Sequence, residues 1–230
     1  MAAHYSLNLN ASLTSEQQAT LEDQALISAL QRAEPDAYET LIRRFQSPVY
    51  NLAWRLLDNP ADAGDVVQEV FLKVFRNVDS FRGESSLRTW IYRIAVNESH
   101  NKRRWLFRHR KGETGIDDAF PSDDNREAPI VDTGETPFDF TMNREAQLLL
   151  EEGLAAISPA FREALVLREI EELSYDEIAH VLDISMGTVK SRIVRGREAL
   201  RCYLANRINP AGSLEMQGPV KWGLEAGNVK

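Results

Sequence analysis

The sequence predicts an all-α protein: two helical domains joined by a flexible acidic linker, the C-terminal domain containing a helix-turn-helix. Apolar residues recur three and four positions apart along most of the chain, and no segment alternates apolar and polar residues as a half-buried strand does. A stretch rich in acids, glycine and proline separates the two helical parts. With 43% hydrophobic residues among 230, the chain can fill one large or two small cores.

The same patterns set the boundaries along the chain. Asn59-Pro60 breaks one helix, the next is expected from about Asp62 to Asn77, and Phe81 to Ser86 is expected to form a loop. We therefore expect five segments: a polar N-terminal tail (1–20), an N-terminal helical domain (21–111), the acidic linker (112–142), a C-terminal helical domain (143–207) and a C-terminal tail (208–230).

The net charge of −8 is concentrated in one place. Residues 112–140 contain nine acidic side chains and one basic one, so this segment carries the whole net charge and the remainder sums to zero. Residues 186–207 contain six basic side chains and one acidic one, a net charge of +5. The overall acidity therefore does not exclude nucleic acid as a partner, because the positive charge is local.

Residue usage argues against several functional classes. Cys202 is the only cysteine, which excludes an intrachain disulfide and favours a reducing compartment. The four histidines have no zinc-ligand spacing, and we find no phosphate loop and no nucleophile–base arrangement. The N-terminus resembles no secretion signal, and no apolar run is long enough to span a bilayer. We expect a cytoplasmic protein with no catalytic residues, metal or cofactor.

Residues 174–197 have the pattern of a helix-turn-helix. Ser174 and Glu177 form a capping box at the start of the first helix, Asp183-Ile184 interrupts the apolar pattern, and Ser185 is a second N-cap candidate. An ordinary amphipathic hairpin with a solvated basic face is the alternative interpretation. The capping box, the turn and the basic face coincide, which favours binding of double-stranded DNA.

The second helix of this motif has an outward face suited to the major groove. Thr188, Ser191 and Arg195 project away from the apolar side, where they can reach base edges. Lys190 and Arg192 lie on the two flanks, where phosphates run. We expect these five residues to contact DNA.

Three further stretches, together with the helix-turn-helix, give the chain a resemblance to a known family. Asp65–Phe75, Phe81–Ser85 and Thr89–Asn97 resemble region 2 of an extracytoplasmic-function sigma factor, and residues 173–197 resemble region 4 of that family, in the same order and with a linker between. The resemblance implies a two-domain specificity subunit of RNA polymerase. Region 2 would open promoter DNA at the −10 element and region 4 would read the −35 element.

The resemblance also implies a surface that binds core RNA polymerase, through its β′ clamp helices, with the β flap as a further contact. Asp65, Gln68, Glu69 and Lys73 share one face of a helix, away from its apolar side. The alternative is a solvated face stabilised slightly by a Glu69–Lys73 pair, worth a few tenths of a kcal/mol.

A pocket for an unstacked base is implied in region 2. Phe81, Ile94, Ala95 and Asn97 match the family positions that form it, and four cations can follow the DNA backbone: Arg88, Arg93, Lys102 and Arg103. Phe81 could instead pack its loop onto the core. Trp90 is expected to do so and is not assigned to the site.

The linker constrains how the two domains work together. Its 29 residues from 112 to 140 have a random-coil span of roughly 30 Å, whereas two promoter elements two helical turns apart are separated by roughly 70 Å. The polymerase must therefore hold the domains apart. Without it, the domains are free to fold back on each other and hide both DNA surfaces.

The family resemblance further implies an anti-sigma factor, most often membrane-anchored, and no small-molecule substrate. A LuxR-type helix-turn-helix regulator is the competing function, because its DNA-binding motif is similar. Such regulators carry an N-terminal domain with strands, and residues 21–107 show no strand alternation.

Overall fold

The computed structural model describes residues 15–113 and 137–208, and within them the protein is all-α, as the sequence predicts. Most of the predicted tails and of the linker lies outside the described residues, but α1 begins at Ser15, inside the segment 1–20 that was predicted to be a tail. The described helices are α1 (Ser15–Gln31), α2 (Pro35–Leu57), α3 (Pro60–Asn77), a 3-10 turn (Val78–Ser80), α4 (Leu87–Glu113), α5 (Pro137–Ala156), α6 (Pro159–Glu169), α7 (Tyr175–Leu182) and α8 (Met186–Ile208).

The N-terminal domain is a bundle in which α2, α3 and α4 pack against one another, with α1 lying on α2. Leu41, Val49 and Leu52 of α2 are fully buried, and Val70 of α3 and Ile91 of α4 are buried in the same core. Each such side chain contributes about 1.5–3 kcal/mol relative to an exposed one. This burial fixes which side of each helix faces outward.

The break between α2 and α3 is set by local chemistry. Asp58 ends α2 in the left-handed conformation, with φ at 57°, and donates its backbone N–H to the Trp54 carbonyl at 2.7 Å. The Asn59 side chain then accepts the Asp62 N–H at 3.1 Å, and Pro60 occupies the first turn, where a missing N–H costs nothing. The predicted break at Asn59-Pro60 is confirmed, and α3 begins two residues earlier than expected.

The C-terminal domain is built around α8, which packs against α5, α6 and α7. The predicted capping box is present: the Ser174 hydroxyl accepts the Glu177 N–H, and the Glu177 carboxylate accepts the Ser174 N–H at 2.9 Å. Asp183 closes the turn with φ at 54°, and the Ser185 hydroxyl accepts the Thr188 N–H at 3.2 Å, which caps α8. The helix-turn-helix is therefore confirmed.

Two details differ from the sequence-based expectation. Ser158 precedes α6 as predicted, but its side chain makes no capping hydrogen bond, while Pro159 does occupy the first turn. Helix α4 continues to Glu113 and α5 begins at Pro137, so helices enter the predicted linker from both sides. Proline suits the first turn of a helix as well as a linker, and the sequence pattern alone did not separate the two.

The two domains are folded back on each other. Helix α6 packs against α2, and α7 packs against α4. The Arg162 guanidinium crosses between the domains and donates to the Leu56 carbonyl at 3.4 Å. None of the described helices is long and apolar enough to cross a membrane.

Candidate nucleic-acid interface

The second helix of the helix-turn-helix, α8, presents the face that the sequence predicted. Val189 and Ile193 are buried against the rest of the domain, and this orientation leaves Lys190, Ser191 and Arg195 exposed. A row of polar and cationic side chains on the outer side of such a helix is the geometry of major-groove readout.

The two remaining predicted residues on α8 are half-buried. The Thr188 hydroxyl lies 2.9 Å from the Ser185 hydroxyl and so belongs partly to the helix cap. Arg192 lies on the flank, half-buried. The Ser191 hydroxyl donates to the Thr188 carbonyl at 2.9 Å. Because that bond uses the only hydroxyl proton of Ser191, its oxygen is left to accept from a base edge.

Sequence reasoning missed an exposed apolar residue on this face. Val194 is 64% exposed, between Ser191 and Arg195 in sequence. An aliphatic side chain gains nothing from exposure on a solvated helix, whereas it can contact a thymine methyl in the major groove. The missed signal was its place on the helical wheel, between Lys190 and Ser191.

In the N-terminal domain, an open groove of about 590 Å³ lies beside the outer face of α4. Ile94 and Asn97 line it together with Lys73, Glu98, His100, Asn101, Arg103 and Arg104. Ile94 is half-buried and Asn97 is exposed, so both can be reached from solvent. Arg93, another predicted residue of this helix, is half-exposed. The groove combines an apolar wall, an amide and several cations.

Two other predicted pocket residues are placed differently. Ala95 is fully buried in the core, so its side chain is not at the surface. Phe81 is half-buried and packs on Trp90, with 5.0 Å between ring centroids. Phe81 thus anchors its loop on the core and still keeps part of its ring exposed.

The predicted polymerase face on α3 is linked to the predicted DNA face on α4. The Lys102 ammonium donates to the Asp65 carboxylate at 2.7 Å and pairs with Asp62 at 3.1 Å. The bond to Asp65 raises the pKa of Lys102, while burial opposes it. Lys102 is therefore held on α3 in this structure and does not extend toward solvent.

The other residues of the polymerase face also have defined positions. Gln68 and Glu69 are exposed. Lys73 pairs with Glu98 at 2.5 Å, so its partner is on α4 and not the Glu69 carboxylate that helix spacing suggests. Asp65 is exposed as well, although it accepts from Lys102, so Asp65, Gln68 and Glu69 form the accessible part of the face.

Arg88 at the start of α4 is bound to the C-terminal domain. Its guanidinium donates to the Glu171 carbonyl at 2.6 Å and lies 3.4 Å from the Glu171 carboxylate. The Tyr92 hydroxyl donates to the same carboxylate at 2.5 Å. The Arg88 guanidinium also lies 5.1 Å from the centroid of the Tyr92 ring. Glu171 is 6% exposed, so these contacts take the place of the hydration that its carboxylate would have in solvent.

Farther along the same side of α4, two more side chains contact a carboxylate of the C-terminal domain. The Glu163 carboxylate, in a residue that is 4% exposed, lies 2.7 Å from His100 Nε2 and 3.3 Å from the Arg103 guanidinium. At the Arg88 end, the Thr89 hydroxyl also donates to Glu177 at 3.1 Å. Two of the four cations predicted to follow DNA are thus paired with carboxylates of the other domain.

The contact between the domains therefore affects one of the two predicted DNA surfaces and not the other. The expectation that it hides both DNA surfaces is wrong, because Lys190, Ser191 and Arg195 on α8 stay exposed. On α4, only the side that carries Arg88 and Arg103 is covered, and the groove with Ile94 and Asn97 stays open to solvent. The reason is that the C-terminal domain contacts the N-terminal domain mainly through α5, α6 and α7.

Comparison with known sequences gives the same two-part organisation. Residues 41–108 match Sigma-70 region 2, and residues 147–200 match Sigma-70, region 4. An ECF RNA polymerase sigma-E factor of Escherichia coli (strain K12) is 34% identical over 190 residues, which are 83% of this chain and 96% of the relative. The sigma-E factor of Haemophilus influenzae is 37% identical over 191 residues, 83% of this chain and 97% of the relative.

Solved structures share the fold at lower identity. The structure of CnrH in complex with the cytosolic domain of CnrY matches with a TM-score of 0.55 and 22% identity, over 79% of this chain and 96% of that one. The sigma factor RpoE in complex with the anti-sigma factor NepR from Bartonella quintana matches with a TM-score of 0.56 and 22% identity, over 73% and 96%.

Tyr92 gives the contact between domains a pH dependence. Its burial, reinforced by the bond to Glu171, raises the pKa of Tyr92 to about 12. Because the folded-state pKa lies above the unfolded value of 10.0, the stabilisation is fully present below pH 10 and is lost as the pH rises from about 10 to about 12. In phenolate absorbance titrations, Tyr92→Phe should remove a tyrosine that ionises near pH 12. Loss of one that ionises near pH 10 would contradict the assignment.

Proposed function

Because the chain belongs to the extracytoplasmic-function family of RNA polymerase sigma factors, we propose that α8 reads the −35 element of its promoters and that α4 holds the opened −10 element. The chain is an alternative sigma factor that directs promoter-specific transcription, and not a LuxR-type regulator. The observation that carries the finer assignment is the pair of surfaces: an exposed polar row on α8, and a groove with Ile94 and Asn97 on α4.

On α8, the division of labour follows from position. Arg195 and Ser191 lie on the exposed centre of the helix, where a guanidinium can donate two bonds to a guanine edge. Val194 supplies an apolar contact for a thymine methyl. Lys190 and Arg192 lie to the sides and contact phosphates, which fixes the register of the helix in the groove.

On α4, the groove is suited to a base that has left the stack. Ile94 provides an apolar wall, and the Asn97 amide can both donate to and accept from a base edge. Phe81, supported by Trp90, provides an aromatic edge at the loop. Arg88, Arg93 and Arg103 follow the backbone once they are released from any protein partner.

Opening DNA requires the core enzyme. Unstacking costs a few kcal/mol per base step, and promoter opening unstacks several steps. One small groove with a few cations does not supply that much free energy. Core polymerase would bind α3 through Asp65, Gln68 and Glu69, with Lys73 at the edge of this face, on its β′ clamp helices. Its β flap would hold the C-terminal domain at the −35 element. We place this activity in the cytoplasm, where core polymerase and promoter DNA are found.

We also propose that an anti-sigma factor restrains the protein, and that it is anchored in the membrane. Two solved structures of the same fold include partners of this kind, CnrY as a cytosolic domain and NepR as an anti-sigma factor. Affinity purification from detergent-solubilised membranes should recover a stoichiometric partner. Recovery of none, together with constitutive activity in cells, would contradict the proposal.

Reconstituted transcription tests the proposed function directly. Added to core RNA polymerase, the chain should produce transcripts with new, defined start sites from a genomic promoter library. Glu69→Lys reverses an exposed charge on the polymerase face and should lower core binding at least several-fold. Asp79→Lys makes the same change at an exposed site outside that face and should have little effect. Failure of the native chain to bind core, or unchanged start sites, would exclude the function.

Variants of the α4 groove should separate DNA opening from binding. Asn97→Ala and Phe81→Ala should leave core binding and closed complexes largely intact and lower the yield of open complexes, measured by permanganate reactivity of unpaired thymines. Asn77→Ala, an exposed asparagine at the end of α3, is the control and should melt DNA normally. Normal melting by both groove variants would mean that Phe81 serves only to pack its loop.

Variants of α8 should separate specificity from affinity. If Arg195 reads a base, Arg195→Ala should lower the binding free energy by about 1–3 kcal/mol and relax the base preference at one −35 position. Lys190→Ala and Arg192→Ala should weaken binding to all DNA sequences alike. Each should reduce the slope of log binding constant against log salt concentration by about one unit. Arg207→Ala, exposed on the same helix and paired with Glu152, is the control. The measurement is titration of duplex −35 variants with the full chain at several salt concentrations.

If Arg195→Ala weakened binding to every −35 sequence equally, base readout by Arg195 would be contradicted. Arg195 would then belong among the phosphate contacts. Ser191 and Thr188 would then be the base-reading candidates. Lost thermal stability with unchanged DNA preference would give Arg195 a structural role only.

A further inference from the structure

The C-terminal domain has an open apolar groove of about 580 Å³ between α5, α6 and the C-terminal half of α8. Leu154, Leu165 and Val166 line it as buried side chains, and Leu204 is half-buried. Leu150, which also lines the groove, is 38% exposed. A contiguous apolar surface with a polar rim is the mark of an interaction site.

The walls of this groove are fixed by contacts between helices. Gly153 of α5 approaches α8 so closely that a Cβ atom there would lie 2.6 Å from Leu200 Cδ1. On the other side, Arg197 Nε of α8 donates to the Glu169 carboxylate of α6 at 3.0 Å. The groove is therefore formed before anything binds, and an occupant does not have to order its walls.

The rim of the groove is electrically balanced. Arg197 pairs with Glu169 at 2.5 Å, and Arg201 pairs with Glu198 at 2.7 Å. Both rim cations therefore already have a carboxylate of the same domain. Because burying an unpaired charge is costly, an apolar occupant without net charge fits this groove better than a strongly acidic or basic one.

The chain itself supplies a segment with these properties. Residues 209–230 follow α8 directly and lie outside the described residues. They contain two acidic and two basic side chains, so their net charge is zero. Val220, Trp222 and Leu224 are spaced by two, and alternate residues of an extended chain lie on one side.

We propose that residues 220–224, which we call the tail segment, occupy the groove between α5, α6 and α8 of the same molecule. Val220, Trp222 and Leu224 would face the apolar lining, and Lys221 and Gly223 would face solvent. A partner that binds this face of the C-terminal domain would have to displace the tail segment first. This inference does not rest on the proposed function.

The length of the tail segment matches the groove. The lining residues of α8 run from Arg197 to Ala205, a distance of about 12 Å at a rise of about 1.5 Å per residue. From Val220 to Leu224, an extended chain covers about 13 Å at about 3.3 Å per residue. Three alternating side chains can therefore cover the groove from end to end.

The connection to α8 makes the chain's own segment the favoured occupant. Helix α8 ends at Ile208, close to Ala205 at the end of the groove. Residues 209–219 connect it to the tail segment, and a random coil of that length spans roughly 18 Å. This span exceeds the length of the groove, so the connection needs no stretching. A short tether also gives an effective concentration in the millimolar range, which a separate partner does not have.

The exposure of Trp222 in the full chain tests the proposal. The protein is produced with fluorotryptophan, and the fluorine resonance of Trp222 is assigned with Trp222→Phe. The change in each fluorine shift between light and heavy water measures exposure to solvent. Two of the four tryptophans are internal standards, since Trp54 is 6% exposed and Trp105 is 46% exposed. In the native chain, the value for Trp222 should lie near that of Trp54.

A charge placed in the groove should release the tail segment. Leu150→Asp changes an exposed leucine of the groove, and the value for Trp222 should move to that of Trp105. Leu72→Asp is the matched control, because Leu72 is 43% exposed on α3 in the other domain. It should leave Trp222 protected.

A charge placed in the tail segment should have the same effect. Leu224→Asp should expose Trp222, whereas Ala226→Asp adds the same charge just beyond the tail segment and should not. Leu224→Asp changes no residue of the described helices, so it supplies the result if Leu150→Asp does not fold.

Three outcomes would overturn the proposal. The first is a native chain in which Trp222 is as exposed as Trp105. The second is a Trp222 that stays protected in either Asp variant when that variant is folded, or that is released by a control as well. The third is protection that appears only as protein concentration rises, together with dimers in sedimentation, which would assign the groove to a second copy of the chain.

Discussion

The orientation of α4 about its own axis is the constraint on which the rest of the structure depends. Leu87, Ile91 and Ala95 are sealed in the N-terminal core. Because the helix repeats every 3.6 residues, this stripe fixes the direction of every other side chain on it. One remaining side carries Arg88 and Arg103 to the C-terminal domain, and another opens onto a solvent groove. A single helix therefore connects core stability, domain contact and the proposed DNA surface.

The charge distribution differs between the two proposed DNA surfaces. The cations of α8 face solvent, while those on one side of α4 face carboxylates of the same chain. Paired charges in a partly buried interface contribute little net free energy, because desolvation offsets the attraction. Such an interface can hold the domains together without locking them.

Features governed by neighbours in the sequence were predictable. The capping box of Ser174 and Glu177, the helix break at Asn59-Pro60 and the buried stripe of α8 each depend on residues within a few positions of one another. The outward face with Ser191 and Arg195 followed from the same stripe, since helical spacing carries it. Where two local roles were possible, as for proline at the start of α5, the pattern did not decide between them.

The sequence by itself therefore determined an all-α chain with two helical parts, a helix-turn-helix and the composition of its reading face. Only the tertiary structure decided which partner each charge takes. Lys73 pairs with Glu98 on another helix, and Arg88 bonds to Glu171, 83 residues away in sequence. It also decided that Ala95 is buried, and that the contact between the domains covers one side of α4 but leaves Lys190, Ser191 and Arg195 of α8 exposed. The reason is physical: helix formation is set within one or two turns, whereas long side chains choose among all the charges that packing brings within reach.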